Sequence, residues 1–210
     1  MKNALTAPGW KTDESRNFWS TIASQDHIVQ VYENDDVLMD SLEGFICAGL
    51  EADEGIVIIA TKEHVEALGT RLSGKGIDLL KYFRKKQFIL LDAVETLSQF
   101  MVVGWPDENK FNTAVDEILS KARGNKNRKV RAYGEMVALL WAQGYTGATI
   151  QLENIWNRYC AKEQLCLFCA YPKNGFTQDV DRSIDHICFC HNKVISGDRP
   201  SASEVHYREV

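Results

Sequence analysis

Two hydrophobic periodicities alternate along this chain. His27 to Tyr32 (HIVQVY) alternates weakly and is rich in β-branched residues, which predicts a first strand. GIVIIA at 55–60 and FILL at 88–91 are continuous apolar runs, the pattern of strands covered on both faces of a parallel sheet. Between them the spacing changes to three and four. Leu38, Leu42, Phe45, Ile46 and Ala48 follow the capping acids Asp35 and Asp36, and a second helix over 62–72 opens at Thr61. The same spacing predicts helices over 94–103 and 108–123. A fourth strand is expected over 129–133, ending at Tyr133 and Gly134. After it an amphipathic helix carries Met136, Val137, Leu139, Leu140 and Trp141 and stops at Gly144, and another carries Ile150, Leu152, Ile155, Trp156 and Tyr159. A fifth strand over 165–170, a last helix over 179–195 and a short leading helix over 14–24 complete the pattern. Strands and helices alternate throughout, so the fold class is α/β with a mainly parallel central sheet flanked by helices.

At 210 residues, with 45% hydrophobic and 25% charged, the chain fits one domain with a substantial core. It divides into an N-terminal extension (1–25), a domain (26–196) and a C-terminal tail (197–210), with residues 1–13 and the tail expected to lack structure. The net charge of −5 argues against a general nucleic-acid or anionic-membrane surface. No apolar run reaches the length of a membrane span and no signal-peptide core opens the chain, so the expected location is cytoplasmic, with reduced cysteines.

Ligands of open parallel sheets bind beyond the carboxyl ends of the strands. Those ends carry Tyr32 and Glu33, Thr61 and Lys62, Asp92, Tyr133 with Glu135, and Tyr171. The first strand-to-helix turn, YENDDVLMD, lacks the glycines, lysine and hydroxyl that a phosphate-binding loop needs, and its acids Glu33, Asp35 and Asp36 would repel a triphosphate. Asp92 sits where a metal-binding aspartate would sit in an ATPase, and equally where a helix cap would sit.

Glu153 lies in a largely apolar helix, with Asn157 one turn later on the same face and Trp156 beside them. Arg131, Glu135 and Glu153 are expected to form one coupled cluster that positions the ligand. His27 reads as a strand-edge histidine or a site residue. Cys166 and Cys169, with Cys188, Cys190 and His191 later, invite a zinc reading. However, positions 166 and 169 of a strand point to opposite faces, and helical spacing scatters the later group. The spacing therefore predicts six free thiols and no metal.

The pieces RAYGEMV (131–137) and LENIWN (152–157), with HIVQVYEN, FILLDA, CAYP and ICFCHNKVI in order across 27–195, resemble the MEDS family, a sensory domain of methanogens and methylotrophs. The resemblance implies a three-layer scaffold related to the RecA and KaiC ATPases without their nucleotide machinery, and a ligand-sensing role. The expected function is a sensory domain without catalysis or cofactor. Its ligand is a small, partly apolar molecule, met by His27, Tyr32, Asp92, Arg131, Tyr133, Glu135, Glu153, Trp156, Asn157 and Tyr171. Its output passes to a separate signalling partner, through a dimer or larger assembly of the chain. The alternative is a divergent nucleotide-binding RecA-like enzyme.

Overall fold

A computed structural model describes residues 13–176, 187–195 and 205–207. The strands are β1 (His27–Tyr32), β2 (Gly55–Ala60), β3 (Phe88–Asp92), β4 (Met101–Val102), β5 (Trp105–Pro106), β6 (Val130–Gly134), β7 (Cys166–Pro172), β8 (Lys193–Ile195) and β9 (Val205–Tyr207). The helices are α1 (Asp13–Ser20), α2 (Asp35–Glu51), α3 (Lys62–Gly74), α4 (Leu79–Arg84), α5 (Ala93–Ser98), α6 (Glu108–Arg123), α7 (Met136–Ala142) and α8 (Thr146–Glu163).

The main sheet runs β3-β2-β6-β7-β1-β8-β9. Its first six strands are parallel and β9 closes the edge antiparallel. Alternate residues of each strand feed two separate cores. Val57, Ile59, Ala132, Leu167 and Cys169 pack with apolar residues of α5 to α8. Ile56, Ile58, Tyr133, Cys166 and Phe168 pack with α1, α2 and α3 on the opposite face. The result is a three-layer α/β sandwich. Its mainly parallel sheet was readable from the alternation of strand and helix, and its three layers are those the family resemblance implied. Gly55 opens β2 against α6, where a Cβ would stand 2.7 Å from the Ala122 carbonyl oxygen.

Local chemistry sets the helix starts. Asn34 caps α2 by accepting from Val37 N, which places Asp35 and Asp36 in the first turn rather than at the cap. Thr61 caps α3, Asp92 caps α5 and Asp107 caps α6. Arg71 of α3 holds Asp36 and Asp40 of α2, each at 2.5 Å.

Three expectations are corrected, and one short helix joins the expected elements. The helix expected over 94–103 ends at Ser98, and the chain turns into the β4–β5 hairpin through Val103 and Gly104, both at positive φ (50° and 80°). Residues 79–84 form α4. The last helix, expected over 179–195, lies outside the described residues as far as 186. From there it ends by Cys190, and 193–195 is strand, because β-branched Val194 and Ile195 pair along β1. Finally, the tail contributes β9.

Candidate functional site

The carboxylates expected to act together occupy separate places, and a third group forms around Arg131. The first place is a polar cluster at the carboxyl ends of β2 and β6, where a crevice is expected in an open parallel sheet. Glu135 follows β6 immediately and is buried. Its Oε2 accepts from Thr61 N at 2.7 Å, and its Oε1 accepts from the Tyr133 hydroxyl at 2.8 Å and faces His64 Nδ1 at 2.5 Å. Parallel pairing of β2 with β6, Ile59 opposite Gly134, brings Thr61 to this carboxylate. The hydrogen bond to Glu135 raises the pKa of His64, against burial. His64 Nε2 turns outward, 3.6 Å from the exposed Asp35 carboxylate. Burial raises the Tyr133 phenol well above its usual value, with Glu135 adding to it. The Tyr32 phenol is raised likewise, by burial first and then by Glu135.

The second place lies inside the α6–α8 layer. Glu153 projects from α8 toward the sheet, where Tyr171 donates its hydroxyl to Oε1. Oε2 stands 3.5 Å from both His27 Nε2 and His191 Nε2, and 3.9 Å from Cys169 Sγ. Cys169 Sγ is also 3.6 Å from His27 Nε2. All five side chains are buried. Burial pushes Glu153 up to about 8 and His191 down to about 4, and it lowers His27, aided by His191 beside it. Asn157 and the Cys190 backbone face the His27 ring. His27 is thus an interior residue, since β1 lies between β7 and β8.

Arg131 occupies the third place. It is the second residue of β6, far from that strand's carboxyl end, and its side chain crosses to Glu54 and the Trp19 carbonyl at 2.7 Å, with the Phe45 ring 5.6 Å away. The expected Arg131–Glu135–Glu153 cluster therefore does not form. Strand alternation sends Arg131 to the α1–α2 face, and helix α8 carries Glu153 on the other.

Asp92 acts as a cap, accepting from Glu95 N at 2.8 Å. Trp156 is a core residue stacked edge-on against Phe111 at 4.6 Å. Sequence reasoning missed His64, although its place in the first turn after the Thr61 cap puts it beside the crevice. It also missed Glu54 and Trp19, which no local pattern links to Arg131. Cys166 and Cys169 do face opposite layers. Residue spacing made no four-ligand set obvious, yet Cys169 meets His27, Glu153 and His191 from three other segments.

Two clefts lie away from the strand ends. One, about 320 Å³, is lined by Cys47, Leu50, Ile77 and Tyr82 among others. The other, about 360 Å³, is lined by Arg123, Arg128, Lys129 and Lys162 among others. No described helix is long and apolar enough to cross a membrane.

The family model described as the methanogen/methylotroph, DcmR sensory domain, MEDS, matches residues 26–192. The chain belongs to the MEDS family. Its fold is that of solved structures from the hyperthermophilic archaeon Pyrococcus horikoshii OT3. A KaiC-like protein is 13% identical at a TM-score of 0.56, covering 81% of the MEDS chain and 71% of its own. A second protein of that organism is 11% identical at a TM-score of 0.57, covering 91% and 90%. Among curated proteins, none matches in sequence. Membership in a sensory-domain family suggests a sensory role for this MEDS chain.

Proposed function

We propose that this MEDS domain is a non-catalytic, cytoplasmic sensor that binds a small, partly apolar molecule in the crevice beyond β1, β2 and β6 and signals to a separate protein partner, as a homo-oligomer. The observation that carries the reading is the Glu135 cluster. A buried carboxylate holds Tyr133 and His64 in fixed orientation, with His64 Nε2 and Tyr32 at the mouth for a polar group of the ligand. The neighbouring turn argues against the alternative, a nucleotide-dependent enzyme. Asn34 spends its side chain on the α2 cap, and Asp35 and Asp36 are exposed acids where a phosphate would need donors.

A thermal-shift screen of nucleotides against small organic molecules tests this, since a ligand stabilises the state it binds. Small organic compounds should raise the melting temperature, and the shift should disappear in Glu135→Gln. Phosphate release from Mg-ATP should stay at background. Release well above background, lost in Asp92→Asn, would instead favour the enzyme. Binding kept in Glu135→Gln but lost on filling the Cys47–Ile77 cleft would move the site to that cleft.

A further inference from the structure

We infer that His27, Glu153, Cys169 and His191 form a closed tetrahedral site for one zinc ion inside the α6–α8 layer, reversing the expectation drawn from residue spacing. The four ligating atoms, one from each side chain, all lie within 4.8 Å of one another, and all four residues are buried. Ligands about 2.0–2.3 Å from a tetrahedral zinc stand about 3.3–3.6 Å apart. Here the separations are 3.5 Å for His27 Nε2 to Glu153 Oε2, 3.5 Å for His191 Nε2 to the same oxygen, 3.6 Å for Cys169 Sγ to His27 Nε2 and 3.9 Å for Cys169 Sγ to Glu153 Oε2. These four of the six separations match a coordination shell to within about 0.3 Å, and the two remaining pairs, His191 with His27 and with Cys169, lie within 4.8 Å, so His191 closes toward them when the ion binds.

The surroundings fit the same assignment. His191 Nδ1 lies 2.8 Å from the Ile187 carbonyl, which can only accept, so Nδ1 carries the proton and Nε2 presents its lone pair to the cluster. That buried Nε2 has no hydrogen-bond partner among the described residues. A carbonyl holding the distal ring nitrogen is the usual support of a metal-bound histidine. Tyr171 fixes Glu153 by its other oxygen and leaves Oε2 as a single ligand atom. Charge also closes. Metal ligands bind deprotonated, so one thiolate, one carboxylate and two neutral imidazoles offset the two positive charges of zinc, which is what a dry interior requires. With four protein ligands and no open position, the site is structural. It joins the start of β1, α8, β7 and the turn before β8, and it does not depend on the ligand reading of the crevice.

The 210-residue chain, stripped with a chelator and then dialysed with Zn²⁺ alone, should retain one zinc per chain and melt at a higher temperature. Co²⁺ alone should give the thiolate charge-transfer band and the visible bands of a tetrahedral site. Cys169→Ser should lose the charge-transfer band. Cys166→Ser, on the opposite face of the same strand, should keep it. X-ray absorption of the wild-type zinc form should find one sulfur and three nitrogen or oxygen neighbours, a measurement that needs no variant to fold. Failure of the wild type to retain zinc would overturn the proposal. So would a shell with two or more sulfurs, or a charge-transfer band that survives Cys169→Ser.

Discussion

Arg131, Glu135 and Glu153 are all buried, and each is satisfied by different neighbours. A buried charge whose partner is removed costs about 3–5 kcal/mol. Arg131→Met should therefore lower the unfolding free energy by about that amount. In chemical denaturation, Glu54→Gln should recover part of the loss in the double mutant, because the two side chains touch. Glu153→Gln should add independently, because it shares no partner with Arg131. His64 allows a pH test. Its folded pKa is raised, chiefly by the hydrogen bond to Glu135. Its contribution to stability is therefore fully present below the unfolded value of about 6.5 and is lost as pH rises through the higher folded value. Titrating the His64 ring by NMR should show the raised pKa in the wild type and a fall in Glu135→Gln. The melting temperature of His64→Gln should respond less to pH over that window. The sequence marked Glu135 and Glu153 as unusual because each stands beside large apolar neighbours, and Tyr133 because it ends a strand. It grouped the two carboxylates with Arg131, and it missed the true partners of Glu135 and Arg131. Those lie 71 residues away for His64 and Glu135, and 77 for Arg131 and Glu54, distances over which only sheet register decides contact.

Among the elements, the strands buried on both faces and the long amphipathic helices were the legible ones, because burial imposes a period on every residue. Helix α6 coincides with its expected span of 108–123, and β2 with 55–60. Short elements carry too few residues for a period, which is why α4 and the β4–β5 hairpin escaped notice. The hairpin also holds a local conflict. Val103, a β-branched residue, sits at φ 50° beside Gly104 at φ 80°. A left-handed conformation costs an L-residue about 1–2 kcal/mol. Val103→Asn gives the Asn-Gly pair that such two-residue turns favour. It should raise stability by about 1 kcal/mol, read as a shift in denaturation midpoint with unchanged slope.

For the whole molecule, the sheet order separates the places where chemistry collects: a polar cluster at the strand ends, a closed cluster inside one layer and an ion pair under the other. Overall architecture was readable because alternation of strand and helix permits few arrangements. Strand order was not, since nothing in HIVQVY tells which strands will flank it. That order has a kinetic meaning. β1 is synthesised before the other described strands of its sheet, yet its neighbours are β7, with His27 beside Leu167, and β8, with Ile28 beside Lys193. During translation its backbone donors and acceptors must wait for some 140 residues before the first permanent neighbour emerges. Closing such long loops before any contact rewards them makes folding slow. A nascent chain halted after β6 would expose β1 as an unpaired, apolar strand, the kind of edge that recruits chaperones or other chains.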